Sequence, residues 1–557
     1  LWFKYELGLS LTDIIRATGE LCIRSIQTER MLLCLLFFCL FRFTFSLETT
    51  SNACKTVHLS KYVGHLKILS VLNNAVENYT SPYLQAIAPT DVTSINFCNV
   101  TVTLTHPGDD DVVIISVWLP LQSWNGKYLA TGGGGLLAGE FEAEQAPGVA
   151  LGYVAAATDA GLSKNGTIDA SSGLWALNSD GSLNSGLLTN FAYRSIHDMS
   201  VIAKLILRTF YGHAEQYSYY YGCSTGGRQG YLSASHYPTD FDGILAISPA
   251  INTPQVSPAD FWPSVVMGNE VVLPPCVLSA YQDAIIKYCD GLDGVLDGLI
   301  SMYNPDSCTF EPSSLVGQSI VCSDTNSSIT ITSEDAGVIR KILQGPTGLD
   351  GEFLWYGVPP GASFSGLAST TVTNGSLVVK PFQAAKYWIQ NFIFQNPSYP
   401  ALNMTYQDFQ TAFDLSVEKF SAQFGTLQPD LHEFRRGGGK LLTWHGLADQ
   451  YIAHAGTVRY WNAAKASMSG VEQVNSFYRL FLAPGAAHCG GGSGPVPVNP
   501  LAALAAWVEN DTAPETLFAS TTNTAGQNVT RDLCPYPAKL VYSGEGDVNQ
   551  ASSFICR

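Results

Sequence analysis

Residues 217–230 read YSYYYGCSTGGRQG, and this stretch decides how the rest of the chain is read. An apolar run of strand character enters a glycine-rich turn and leaves it as a helical segment reaching about residue 236. Within the turn, Gly222, Cys223, Ser224, Thr225 and Gly226 satisfy G-x-S-x-G. In that pattern a serine stands in a strained conformation at the head of a sheet, and glycines sit where flanking side chains would collide. Glycine and serine are abundant here, so the motif alone is weak and its surroundings must carry the argument.

Those surroundings alternate. Segments 112–120, 126–130 and 152–160 read as short strands, 196–212 has apolar positions at helical spacing and stops at a glycine, and 243–248 is a further strand. Strand, helix, strand in succession predicts a parallel sheet in an α/β fold. After about residue 250 the pattern changes to proline-, aspartate- and aromatic-rich segments. It returns at GKLLTWHG (439–446), SFYRLFLAPG (476–485) and the amphipathic PLAALAAWVEN (500–510). One sheet with a large insertion explains this better than two consecutive domains. The expectation is an α/β-hydrolase fold, with a catalytic domain in two parts, 47–250 and 436–557, and an inserted lid over 251–435.

A nucleophilic serine needs a base and an orienting acid. His488 lies on a loop after the last predicted strand, and Asp449 lies on the loop after the strand before it. The chain order Ser224, Asp449, His488 is that of α/β-hydrolases. Taken singly, Asp449 reads equally well as a loop cap and His488 as a surface histidine. Cys223 precedes the serine and Cys489 follows the histidine. A serine and histidine within hydrogen-bond reach bring their chain neighbours within the Cα separation a disulfide spans. The two cysteines are therefore expected to clamp nucleophile to base, with two independent buried thiols as the alternative.

Composition sets the outer limits. The chain has 557 residues, of which 46% are hydrophobic and 13% charged, enough for a large core and too apolar for disorder. Residues 1–30 precede the first methionine and read as a leader foreign to the fold. The segment MLLCLLFFCLFRFTFS from Met31 is too short for a membrane span and reads as a signal peptide ending near Ser46, with a signal anchor as the alternative. Beyond residue 46 remain 24 basic and 42 acidic residues, a balance that repels nucleic acid and anionic lipid. Ten cysteines in that part, an even number, fit disulfides in an extracellular protein. N-x-S/T triplets at Asn78, Asn99, Asn165, Asn326, Asn374, Asn403, Asn510 and Asn528 agree with a glycosylated secreted protein.

This Cys-Ser, Asp, His-Cys arrangement resembles the tannase and feruloyl esterase family of secreted esterases. The resemblance covers nearly the whole mature chain. It runs through YGCSTGGRQGYLSASHYPTDFDGILAISPA, CDGLDGVLDGLIS in the insertion, HGLADQYI and GAAHCGGG, in that order. Asp290, Asp293 and Asp297 supply carboxylates spaced by three and four among glycines, a hard-oxygen set that suits calcium but is not an EF-hand. From the residues alone, a solvated acidic turn is the competing reading. The resemblance implies a structural calcium held by those three side chains and the carbonyls of Val295 and Leu299, with no organic cofactor. It also implies a Cys289–Cys308 bridge. Cys54 with Cys98 and Cys534 with Cys556 are plausible by position, which leaves Cys276 with Cys322 by elimination.

An oxyanion hole requires two backbone N–H groups. Thr225, directly after the nucleophile, is one, and TGGGGLLAG (131–139) offers the other, with Gly134 or a neighbour. A phosphate-binding loop is the weaker reading there, since no lysine followed by serine or threonine comes after it. The expected chemistry is acyl transfer through an acyl-enzyme, with small-molecule or polysaccharide-linked phenolic esters as substrates. By resemblance, hydroxycinnamoyl esters come first and galloyl esters second. Trp262, Trp355, Tyr356, Tyr387, Trp388 and Phe392 are the aromatic side chains of the lid that a phenolic acyl group could meet, although lid core is the plainer role for most of them. A non-catalytic binding protein and a serine carboxypeptidase are the readings from other classes. The intact Ser, Asp, His set counts against the first, and the absence of G-E-S-Y counts against the second.

Overall fold

Six strands run in parallel through the middle of the molecule because their sequences are apolar on both faces. In this computed structural model, β5 (Lys127–Thr131), β6 (Val154–Thr158), β7 (Tyr217–Cys223), β8 (Gly243–Ile247), β9 (Lys440–Gly446) and β10 (Tyr478–Ala483) are buried almost throughout. The structure describes Cys54 and residues 57–557, apart from 83, 85, 88–89, 165, 302–306, 323–326, 374 and 428. The predicted leader 1–30, the predicted signal 31–46 and the triplets at Asn165, Asn326 and Asn374 lie outside the described residues. The chain forms two units, Leu1–Val57 and His58–Arg557, and the second carries the sheet, the insertion and the site.

The sheet has ten strands, not only the parallel ones the sequence announces. A hairpin of β1 (Tyr62–Val63) and β2 (Leu66–Ser81), then β3 (Val92–Thr105) and β4 (Val113–Pro120), pair antiparallel, and β4 joins β6 antiparallel. The order is β1-β2-β3-β4-β6-β5-β7-β8-β9-β10, so the parallel sheet expected from the alternation is present, while 112–120, read with its strands, pairs antiparallel and the sheet as a whole is mixed. Helix α1 (Ser195–Tyr211) buries Ile196, Met199, Ile202, Ala203, Ile206 and Leu207, and stops where Gly212 takes a left-handed φ of 80°. Each large aliphatic side chain so buried contributes about 1.5–3 kcal/mol. Helix α2 (Thr225–His236) follows β7 directly.

Between β8 and β9 the described residues contribute no strand to this sheet. It folds instead into helices, chiefly α3 (Pro275–Cys289), α4 (Ser333–Gln344) and α5 (Tyr406–Phe424), with two small hairpins. Their aromatic centre is Trp388, stacked on Phe392 at 4.4 Å and flanked by Phe420 and Phe424. Trp388 and Phe392 are fully buried, so they are core of the insertion and not pocket wall. After β10, α6 (Pro500–Asn510) covers the sheet, and three-stranded and two-stranded antiparallel sheets end the chain.

Disulfides pin the insertion and the C-terminus: Cys276 to Cys322, Cys289 to Cys308, and Cys534 to Cys556. Cys54 and Cys98 are also half-cystines. Among the described residues, no helix is long and apolar enough to cross a membrane.

Candidate active site

The turn after β7 is built as its glycines require. A Cβ on Gly222 would stand 2.6 Å from the backbone of Gly226, and one on Gly227 would stand 2.6 Å from the Ile247 carbonyl. Ser224 sits between them at φ 61°, ψ −120°. Held backbone of this kind costs on the order of 1–3 kcal/mol and persists where surrounding bonds over-determine it. Here the Ser224 amide donates to the Ile247 carbonyl at 3.0 Å, and its carbonyl accepts from Ala250 at 3.0 Å and Arg228 at 3.1 Å.

The loop after β9 supplies the acid. Asp449 is fully buried, and its Oδ1 accepts from the amides of Tyr451 and Ile452, both at 2.9 Å. Its Oδ2 lies 2.8 Å from His488 Nδ1 and 3.1 Å from His445 Nε2. Burial pushes this carboxyl up, but the two imidazoles, through charge and hydrogen bonds, outweigh it and hold the group well below the usual carboxylate range. An ionised Asp449 fixes the proton of His488 on Nδ1 and leaves Nε2 as the accepting nitrogen. His488 is steadied by its own amide, which donates to Gln450 Oε1 at 3.1 Å, and by the Tyr451 ring edge-on at 5.4 Å.

Cys223 and Cys489 are bonded, with Cα atoms 5.8 Å apart. A ring nitrogen of His488 and both sulfurs lie within 4.8 Å of one another. The bridge thus ties the residue before Ser224 to the residue after His488 across 266 positions. Closing so long a loop contributes about 2–5 kcal/mol, and it holds two loops in one register.

Of the glycines in 132–135, two have committed amides: Gly132 donates to the Tyr221 carbonyl at 2.9 Å and Gly133 to Gln229 Oε1 at 3.1 Å. The amides of Gly134 and Thr225 make no hydrogen bond among the described residues. Thr225 Oγ1 donates to the Gly135 carbonyl at 2.6 Å and joins the two segments. Two uncommitted N–H groups beside Ser224 are what a developing alkoxide requires.

Two residues near this site carry no sequence signal. His445 belongs to β9 and would pass for a core histidine; only the fold puts it on Asp449, with its Nδ1 2.9 Å from Thr457 Oγ1. Asp260 lies between two short helices of the insertion and makes no side-chain hydrogen bond among the described residues. It lines a narrow pocket of about 10 Å³ with Trp262, Trp355, Gln450 and Tyr451, room for one water-sized group. Burial, then the charge of Asp449, raises its pKa well above the usual carboxylate range. A larger cavity of about 1170 Å³, beside Arg340, Arg459 and Lys539, includes neither Ser224 nor His488. The narrow pocket does not include them either, but Gln450 and Tyr451, which line it, contact His488.

The 290–299 loop brings its carboxylates onto its own backbone. Asp290 Oδ1 accepts from the amides of Asp297 (3.1 Å) and Gly298 (3.0 Å), Asp293 Oδ1 from Val295 (3.2 Å), and Asp297 Oδ1 from Leu299 (3.0 Å). Asp297 Oδ2 receives Arg531 Nη2 at 2.5 Å. The carbonyls of Val295 and Leu299 accept no hydrogen bond among the described residues. Among those residues, the side-chain clusters tight enough to share one ion lie elsewhere, so a cation here would have to draw these carboxylates closer.

A strained serine after β7, the third of the parallel strands, with an acid and a histidine on later loops in that order, defines an α/β-hydrolase. Comparison with known proteins agrees. Residues 98–557 match the family model described as tannase and feruloyl esterase. A probable feruloyl esterase of Arthroderma benhamiae is 45% identical over 83% of this chain and 86% of its own length. Probable feruloyl esterase B-1 of Aspergillus flavus is 32% identical, over 84% and 87%. Among solved structures, the tannin acyl hydrolase of Aspergillus niger superposes with a TM-score of 0.81 at 26% identity, covering 91% of this chain and 94% of that one. Feruloyl esterase B of Aspergillus oryzae does so with 0.77 at 26%, covering 91% and 100%. The chain belongs to the tannase and feruloyl esterase family and is a carboxylic ester hydrolase.

Proposed function

We propose that this chain is a secreted serine esterase that releases phenolic acids, hydroxycinnamic before galloyl, from plant-derived esters. The observation that carries the reading is the line from buried, ionised Asp449 to His488 Nδ1, with Ser224 bound to that histidine's loop by the Cys223–Cys489 bridge. Ser224 Oγ attacks the ester carbonyl while His488 Nε2 takes its proton, and Asp449 stabilises the imidazolium. The amides of Thr225 and Gly134 receive the alkoxide. His488 then protonates the leaving alcohol, and water, deprotonated by the same nitrogen, frees the acid.

The acyl side is read from the pocket. The narrow pocket has room only for a group of about a hydroxyl's size, and there Asp260, a carboxyl biased toward its neutral form, can both donate to and accept from a phenolic hydroxyl. The name of the 45% identical relative favours feruloyl over galloyl groups. Secretion is supported by the segment from Met31 and by the half-cystines. Of the described glycosylation triplets, Asn78, Asn403, Asn510 and Asn528 are exposed and Asn99 is half-buried. The test is hydrolysis of methyl ferulate beside methyl gallate. Faster release of ferulate supports the reading, faster release of gallate makes the chain a tannase, and cleavage of neither overturns it.

The 290–299 loop holds three carboxylates, of which Asp297 alone is paired with a guanidinium, and two carbonyls that accept no hydrogen bond among the described residues, a donor set of the kind a divalent oxygen-seeking cation takes. Asp290, Asp293, Asp297 and the carbonyls of Val295 and Leu299 would hold calcium, whose part is to brace the insertion. Protein stripped with a chelator is expected to melt several degrees lower than protein in excess calcium, with the Asp293→Asn variant indifferent to the ion. An unchanged melting temperature in the wild type would remove calcium from the account.

A further inference from the structure

A second group of metal-ligating side chains lies where the β1–β2 turn, the end of β3 and the first turn of α1 meet. His65 is in that turn, His106 directly follows β3, and Asp198 is in α1. His106 is fixed from behind, because its Nδ1 lies 2.6 Å from Asp111 Oδ2. Asp111 in turn accepts from Asn190 Nδ2 (2.9 Å), Thr105 Oγ1 (3.1 Å) and the His106 amide (2.9 Å). An imidazole oriented by a carboxylate on one nitrogen, with the other turned forward, is how a metal-binding histidine is usually held.

In front of His106 Nε2 stands the Asp198 carboxyl, with Oδ2 at 2.9 Å. That side chain is 1% exposed, and its Oδ1 has no hydrogen-bond partner. His65 Nε2 lies 3.7 Å from Oδ1, on an imidazole that is 65% exposed and stacked on His106 at 5.9 Å between centroids. One nitrogen from each histidine and one Asp198 oxygen lie within 4.8 Å of one another. A buried carboxylate oxygen without a donor is costly, and no described residue supplies one. The nearby Arg194 is committed to Asp109 at 2.6 Å and comes only within 3.9 Å of Asp111.

We propose that His65, His106 and Asp198 form a binding site for a divalent transition metal, zinc by the chemistry of the donors. Two imidazoles and one carboxylate are a zinc set, and they differ in kind from the all-oxygen 290–299 loop. The ion binds His65 Nε2, His106 Nε2 and Asp198 Oδ1, the Nε2 proton of His106 passes to solvent, and a water completes the shell on the exposed side of His65. Its two charges balance Asp111 and Asp198, and it ties the β1–β2 turn to α1.

The experiment is calorimetric titration of zinc into chelator-treated, dialysed full chain in saturating calcium, with cobalt(II) absorption as a second readout. The expected result is one zinc per chain, visible d–d bands with cobalt, and affinity at least about tenfold weaker in His65→Ala. Since His65 is exposed, its loss leaves the fold intact, and Asp198→Asn is expected to abolish the same event. No uptake by the wild type at millimolar zinc, or wild-type affinity in His65→Ala, would overturn the site.

Discussion

Ser224→Ala protein is expected to hydrolyse methyl ferulate about 10⁶-fold more slowly in kcat than the wild type, with KM little changed. The magnitude follows from how much of the site depends on one oxygen. The residues that orient His488, namely Asp449, Gln450 and Tyr451, lie on the β9 loop and keep their places without it. What the variant keeps is substrate binding and the two amides of Thr225 and Gly134, enough for a residual rate of about 10³–10⁴ over water. Alanine accepts the strained φ no better or worse than serine, so the melting temperature is expected to stay put. The measurement is single-turnover hydrolysis on folded, disulfide-intact protein. A loss below a hundredfold would mean that another group delivers the nucleophile.

The parallel half of the molecule was legible because its strands are buried on both faces. Runs such as YSYYYG and GILAIS are continuous in apolar character, and the helix boundary at Gly212 and the segment PLAALAAWVEN need only local rules. The antiparallel half was not legible, for a physical reason. β2 carries Asn73, Asn74, Glu77 and Asn78 and faces solvent along most of its length, and its register against β3 slips between Ile68 and Ser70, Val76 and Tyr79, and Tyr79 and Ser81. Each slip shifts the alternation of inside and outside by a residue, so a period of two is never sustained.

Ser224, Asp449, His488 and the cysteine pair stand at places that chain order and adjacency pick out. Residues that act through space leave no such trace. His445 reaches Asp449 because a turn of four residues follows β9, and Asp260 meets the pocket from a distant part of the insertion. Aromatic content alone does not separate pocket wall from core: Trp388 and Phe392 take the plainer of the two roles and form the centre of the insertion's own core.

Asp449→Asn is expected to lower kcat about 10⁴-fold, although it deletes only a charge and changes no shape. The environment of the carboxylate dictates the outcome. The amides of Tyr451 and Ile452 both point at Oδ1, so the asparagine carbonyl must take that position to satisfy them. Its NH2 group is then forced toward His488 Nδ1 and His445 Nε2, where the aspartate had presented an acceptor. His488 Nδ1 becomes the acceptor of that bond and its proton moves to Nε2, the nitrogen that must take the proton of Ser224. The histidine stays in place with the wrong tautomer. His445→Gln provides the contrast: it keeps Asp449 ionised against His488 and removes one flanking donor, so its loss is expected to stay within about a hundredfold. Measuring kcat and KM for both variants on one ester separates the two cases. An Asp449→Asn loss no larger than that of His445→Gln would mean that Asp449 does not set the tautomer of His488.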